Sequence, residues 1–413
     1  MFPTRRTSMR SSSVILAVLT SVTFSPARAQ SLHALYNFDV QIGSNGLTMS
    51  NGAIVGVTLD VSQSQGAEFY QLVPPAGGSG PWTRTILYQF ALKDGRPNSS
   101  SLAGAHGEYY GTTSSGGAYN VGEVYQLGPP SSQGASWSLR SLYSFSTTEC
   151  PSYGCSSTGP PGIDEAGSLY VVAQTAGEVF RLVPPTSPGG TWNKTVLVTL
   201  DGTNGDNPNG GLQVSSRNVV YGTTSDGGLY AGGVLFSLTP PQQGEVAWAY
   251  TVLHEFGSNN SDGTGPLCGL TLSPAGVLYG TTEGGDPTTD RGTVFSFDTA
   301  NNAYSVLLYF NGTDGYAPQT PPILGPNGVL YGNSIHGGFQ IHTPKKSFGT
   351  IYQLTPPAQA GGAWTENTLF EFGGGAEGGY PVGKLAMSPN GTLFGATQAG
   401  GANEEGVAFA VVP

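Results

Sequence analysis

A short motif, aromatic-Gly-Thr-Thr, returns at Tyr110–Thr113, Tyr221–Thr224 and Tyr279–Thr282. Looser copies stand at Tyr331–Ser334 and Phe394–Thr397, and degenerate ones at Val55–Thr58 and Tyr170–Ala173. From Gly56 to Gly395 is 339 residues over six intervals, about 56 per repeat. Self-similarity at a fixed period means that one supersecondary unit is used many times.

Two further marks divide each unit. One reads apolar-aromatic-polar-apolar, as in Phe69–Leu72, Val124–Leu127, Val179–Leu182, Leu235–Leu238, Val294–Phe297, Ile351–Leu354 and Ala408–Val411. Its aromatic and its last apolar residue are two apart and so share one face of a strand. A Pro-Pro pair often follows, as at Pro129-Pro130, and ends pairing because Pro has no N–H to give to a ladder. The other mark is a Trp-led strand: Trp82 to Phe90, Trp137 to Phe145, and copies opened by Trp192, Trp248 and Trp364, with Tyr304 in place of Trp in one. After it comes a loop rich in Asp-Gly and Pro, then a short strand such as Gly211–Val214 or Gly269–Leu272.

Each unit therefore offers four short antiparallel strands. A small twisted sheet of this length cannot bury both faces alone, and radial stacking of such sheets buries them. The last copy stops at Pro413, straight after its third strand, while Leu32–Phe38 is a lone strand of the fourth type. The sequence thus predicts an all-β, seven-bladed β-propeller of four-stranded antiparallel blades, its ring closed by the N-terminal strand completing the last blade. Composition agrees. The 64 Gly and 30 Pro supply turns, and charged residues are only 10% against roughly 25% in ordinary domains.

The first 29 residues read as a secretory signal peptide. Arg5, Arg6 and Arg10 form a basic head, Val14–Phe24 is too short to span a bilayer, and Ala27-Arg28-Ala29 is a small-x-small cleavage site. The Arg5-Arg6 pair matches a twin-arginine signal poorly, so the ordinary secretory route is expected. Residues 30–413 are expected to form one propeller domain, secreted or periplasmic. The net charge of −11 becomes −15 once the four arginines of the leader are removed. An acidic surface argues against nucleic acid and against anionic membranes, and the mature chain has no apolar run long enough for a transmembrane helix. Export permits disulfides. Cys150 and Cys155 sit in one loop as a local staple, the alternative being two free surface thiols, and Cys268 is left over as a small buried hydrophobe.

The Leu-Tyr-Gly-Thr-Thr…Gly-Gly…Gly-Thr-Val-Phe pattern, clearest from Leu278 to Phe295, resembles the GloVer-type, or choice-of-anchor, tandem repeat family. The likeness covers essentially the whole mature chain. It implies exported bacterial proteins built of β-propeller-like repeats, often with a C-terminal anchoring segment, and mostly without an assigned activity. This chain ends inside a blade without an anchor, which favours a free protein over surface attachment.

In a repeat protein the informative residues are those that break the consensus. Tyr119, Tyr230 and Phe339 each follow a Gly-Gly pair in the hairpin after the Gly-Thr-Thr strand. Exposed, such rings stack on sugars or apolar groups; packed on the next blade, they are structural. The sixth repeat has the most unusual loop, carrying His336, His342, Lys345 and Lys346 in an otherwise acidic chain. It reads as a contact for an acidic ligand or as a long solvated loop, and further metal ligands are not evident. The equivalent loop of the fifth repeat carries Asp286, Asp290 and Arg291. Asp164-Glu165 is a candidate acid pair, weakened because neighbours on a strand face opposite ways. The Asp201–Asp206 loop has oxygens enough for Ca²⁺ but not the alternating pattern of a calcium loop, and Asp-Gly is ordinary turn chemistry. No catalytic motif is found and no cofactor is implied. The expectation is a monomeric binding or scaffold module for an extracellular glycan, peptide or envelope protein. The alternative is a secreted polysaccharide hydrolase or lyase with its site at the channel mouth.

Overall fold

The computed structural model describes residues 31–413 except 41–46, 51–52, 59–65, 77–79, 98–101, 133, 151–154, 156–158, 188, 244–246, 260, 286–289, 339–346 and 360. The signal peptide expected over residues 1–29 lies outside the described residues. Twenty-eight strands fall into seven four-stranded antiparallel sheets. Blade 5 is typical: Thr271–Leu272, Val277–Thr282, Thr293–Asp298 and Ala303–Tyr309 pair in chain order from first strand to fourth. Among the described residues the only helices are two single 3-10 turns, and none is long or apolar enough to cross a membrane.

The repeat motif can now be read as physics. Its Gly lies directly opposite the third-strand aromatic in six blades, as in Gly111 with Tyr125, Gly280 with Phe295 and Gly395 with Phe409. The ring lies down across the Gly, so that any Cβ there would overlap ring atoms. Blade 3 is the exception, with Val171 facing Phe180.

The first Thr of the motif stitches a blade to the next one. Thr223 donates to the carbonyl of Cys268 at 2.9 Å, and Thr281 approaches the carbonyls of Pro318 and Thr320 at 3.3 Å. Asn333 does the same in blade 6, donating to the Pro381 carbonyl at 3.1 Å. The second Thr closes its own hairpin. Thr224 accepts from the Val234 N–H at 3.0 Å and donates to the Asp226 carbonyl at 2.9 Å, and Thr113 and Thr397 repeat both bonds. Buried backbone groups at each hairpin base are thereby satisfied.

The core is not one mass but seven clusters, one between each pair of neighbouring blades. The Trp at the head of the fourth strand reaches back to the preceding blade: Trp248 meets Tyr170 at 5.8 Å between centroids, and Trp364 meets Tyr279 at 6.5 Å. Tyr304 holds that place in blade 5 and stacks on His254 at 3.7 Å. One cluster joins Tyr70 and Leu72 of blade 1 to Phe394 and Ala408 of blade 7, so the sheets form a closed ring.

Closure is achieved by Leu32–Asn37, which pairs antiparallel with Val407–Val411 in the register Leu32 to Val411 and Asn37 to Val407. Phe38, fully buried, follows it into the core, and its N–H bonds the Gly406 carbonyl at 3.0 Å. Asn37 and Asn403 add bonds to Ala402 and Phe38, each across 365 residues of chain. Cys150 and Cys155 are joined in a disulfide, their Cα atoms 5.4 Å apart, and both are buried between blades 2 and 3. Cys268 is free and buried.

Candidate binding site on the loop face

Because strands alternate in direction, the loops between second and third strands open on the same face as the connections from blade to blade. Every residue expected to contact a ligand belongs, by its place in the sequence, to these loops; the acid pair Asp164-Glu165 does not. Blades 5, 6 and 7 bring five side chains into a continuous ladder there. The Arg291 guanidinium lies over the Tyr316 ring at 6.0 Å. Tyr316 stacks on His336 with centroids 4.9 Å apart and planes 25° apart. His336 meets Tyr380 edge-on at 5.5 Å, and Tyr380 meets Phe348 at 5.4 Å. All five are half-buried.

The backbone fixes the rungs. Tyr316 and His336 exchange hydrogen bonds at 2.9 and 3.3 Å, the Ala317 N–H bonds the Arg291 carbonyl at 3.1 Å, and the Tyr380 N–H bonds the Phe348 carbonyl at 2.6 Å. Arg291 also donates to the carbonyl of Asn311. Beneath lies Asp314, held by the Asn311 backbone and side-chain N–H groups at 2.9 and 2.7 Å. Burial pushes its carboxyl upward, against the opposing pull of those N–H groups and of the nearby Arg291 charge.

Tyr380 is the unusual rung. Its φ is +58°, a left-handed conformation that bulky residues rarely adopt, and it precedes Pro381. The same place before a Pro is filled by Asn207, Gly265 and Ala317 in other blades, all at positive φ. Backbone strain of this kind costs on the order of 1–3 kcal/mol and gathers at functional sites.

The expected residues do not all meet. Arg291 and His336 join the ladder. Phe339, His342, Lys345 and Lys346 fall in 339–346, outside the described residues; that segment departs from Gly338 and returns at Ser347, whose hydroxyl accepts from the Gly337 N–H at 2.7 Å. Asp286 also lies outside them. Asp290 is spent on its own loop, accepting from the Gly285 N–H at 2.6 Å. Tyr119 and Tyr230 stand on separate hairpins, 59% and 49% exposed, rather than packed on a neighbouring blade, and Leu229 beside Tyr230 is 74% exposed. Sequence reasoning missed Tyr316, Phe348 and Tyr380. The last was visible as a Tyr at a position that elsewhere takes Asn, Gly or Ala.

Blades 3 and 4 present a different surface on this face. Gln174 donates to Asn207 and Asn209 at 2.5 and 2.9 Å, and Asn207 donates to Ser225 and Asp226 at 2.9 and 3.0 Å. The acid pair Asp164-Glu165 lies on the opposite face, in the hairpin between the first and second strands of blade 3. Asp164 is buried and fully engaged by Ser168, Tyr170 and Arg181, while Glu165 is exposed. The Asp-Gly loops are turn chemistry: Asp201 accepts from Thr203 and Asn204, and Asp94 from Tyr88 and Ala91. Among the described residues no three His, Cys, Asp or Glu side chains converge as metal ligands would.

Comparison with known proteins settles the family. The model of the Gloeobacter/Verrucomicrobia repeat matches residues 161–343 and 214–413. The chain belongs to the Gloeobacter/Verrucomicrobia repeat family. No curated protein matches this Gloeobacter/Verrucomicrobia repeat protein. Its fold is similar to solved propellers at low identity. Virginiamycin B lyase from Staphylococcus aureus is 12% identical with a TM-score of 0.57, over 93% of this chain and 99% of that one. A streptogramin B lyase is 11% identical at 0.56, over 92% and 97%. An extracellular domain assigned to a hybrid two component system of B. thetaiotaomicron is 9% identical at 0.55, over 93% of this chain and 40% of that one. At such identities the likeness extends to the fold alone. The ladder of this Gloeobacter/Verrucomicrobia repeat protein therefore has to be read from its own residues.

Proposed function

We propose that this protein is an exported, monomeric binding module whose loop face takes an acidic glycan. The observation that carries the reading is the ladder of Arg291, Tyr316, His336, Tyr380 and Phe348. Aromatic edges and faces accept the apolar side of a sugar ring, and a guanidinium beside them pairs with a carboxylate. His342, Lys345 and Lys346, close to His336 in sequence, are further basic candidates on sequence alone. The amides of Gln174, Asn207 and Asn209 suit hydroxyl groups further along the chain of sugars. Tyr119 and Tyr230 act as outlying contacts, Asp290 shapes the loop that carries Arg291, and Phe339 and Asp286 are candidates on sequence alone. Export is supported by the signal-like residues 1–29 and by the Cys150–Cys155 disulfide, which fits an oxidising compartment.

The test is retention on immobilised polygalacturonate against a neutral glucan, with release of new sugar ends scored in the same tubes. Retention by the acidic polymer alone is expected, without product. Tyr316→Ala should weaken it about tenfold, since loss of a stacking platform and its cation is worth about 1–2 kcal/mol. Equal retention on both polymers, or none, would sink the proposal, and product formation would replace it with a catalytic one.

A further inference from the structure

The first strands line the axis of the ring, and one side of that lining is closed. Gly159, Gly210, Gly211 and Gly269, from blades 3 to 5, let neighbouring backbones abut. A Cβ on Gly211 would come within 3.0 Å of Pro160, and one on Gly269 within 2.6 Å of the Gly211 carbonyl oxygen. The register of the strands sets Gly211, Gly269 and Lys384 at one repeat position. Where blades 4 and 5 have no room for a methyl group, blade 7 holds a whole lysine. Its Nζ reaches past blade 6 to the Thr271 hydroxyl of blade 5 at 2.7 Å, a contact spanning 113 residues of sequence.

No carboxylate stands within ion-pair reach of Lys384 among the described residues. Buried cations are ordinarily paired, because an ammonium taken from water needs a counter-charge. The titratable groups around it give none. Cys268, at the entry to the Thr271 strand, is a thiol whose pKa burial raises, and Tyr331, on the strand of blade 6 packed against Lys384's own, is raised by burial too. Burial pushes the amine itself down to about 8, with only Cys268 acting in the other direction. Lys384 as a whole residue is intermediate in exposure.

We infer that Lys384 and Thr271 together form a binding site for a single carboxylate group of a small organic acid or of a uronic acid. The ammonium supplies the charge and the threonine hydroxyl a second hydrogen bond. Bound carboxylate favours the protonated amine.

The experiment is labelling of the Lys384 amine in the intact protein with an amine-reactive reagent, read by peptide mass spectrometry across pH. It is run alone and with acetate, glucuronate, oligogalacturonate or inorganic phosphate. Labelling alone is expected to reach half its plateau near pH 8. Saturating acetate or glucuronate should move that midpoint up by about one unit, and glucuronate affinity should fall about tenfold per pH unit above it. Oligogalacturonate shifting the midpoint where the small acids do so weakly would assign the site to glycan uronates; the reverse would assign it to free acids. Lys384→Met should abolish the pH-dependent component of glucuronate binding, and Thr271→Val should weaken that component with the fold intact. A midpoint unmoved by every carboxylate overturns the inference, as does a shift produced by phosphate alone. Tyr316→Ala, which probes the loop face, should leave the glucuronate shift unchanged, so the two sites fail separately.

Discussion

The glycine under the third-strand ring allows a test in which two known effects oppose each other. Gly280 lies in an extended strand, so Gly280→Ala should stabilise by about 0.4–1 kcal/mol through the unfolded chain. Against this, the new methyl would overlap Cζ of Phe295, lie 2.7 Å from its Cε1 and 3.1 Å from Cδ2 of Leu270. The ring cannot swing clear, because Phe256 and Tyr304 hold it at 5.2 and 5.6 Å and it is fully buried. Overpacking of this kind costs about 1–3 kcal/mol. The clash wins, and a net loss of about 1 kcal/mol is expected. Removing the ring reverses the sign. Phe295→Ala alone should cost about 3–5 kcal/mol, and in that background Gly280→Ala should be neutral or stabilising. The coupling between the two sites should therefore fall at about 1–2 kcal/mol. Urea unfolding at constant m-value measures all four proteins. If Gly280→Ala stabilises the wild type, or costs the same in both backgrounds, the ring-over-glycine account of the motif is wrong.

Three other outcomes follow from the structure. Phe38→Ala empties a fully buried site at the closure and should cost about 3–5 kcal/mol, seen as a lower urea midpoint and faster proteolysis at both chain ends. Reduction of Cys150–Cys155, or its replacement by two serines, should cost about 2 kcal/mol for so short a loop, and added reductant should then leave the variant's Tm unchanged. For Glu149, burial pushes the carboxyl up, but bonds from Lys194, Tyr143 and Ser146 outweigh it and hold it at about 2. A depressed carboxyl adds stability above its unfolded value and loses it as pH falls from about 4.5 towards 2; Glu149→Gln should flatten that limb of the stability-pH curve.

The architecture was legible because it is written seven times. Each strand type recurs with a side-chain pattern that only one pairing satisfies, and the lone strand Leu32–Phe38 matched the one strand missing at Pro413. The site was legible only in part. Arg291 and His336 stood out as charges in an acidic, repetitive chain. Tyr316, Phe348 and Tyr380 did not, since each is an ordinary aromatic in an aromatic-rich sequence, and they meet because loops from three blades converge on one face. Two deviations from the repeat carried a signal all the same: Tyr380 before its Pro, and Lys384 where Gly211 and Gly269 stand. Both require the strand register before they can be seen as deviations.

The pairing of Leu32–Asn37 with Val407–Val411 also has a meaning in time. The ribosome makes Leu32–Asn37 long before Val407–Val411, so a very long loop must close before blade 7 has four strands. Contacts this distant in sequence slow folding and leave strand edges open while they wait. Six blades can form as their residues emerge, but the seventh is withheld until Val407–Val411 has been made. A chain cut short near its C-terminus would keep an unpaired N-terminal edge and an open groove beside Phe38, features that proteases and quality-control factors recognise. The closure thus works as a check that blade 7 has been made, read where two strands distant in sequence have to agree.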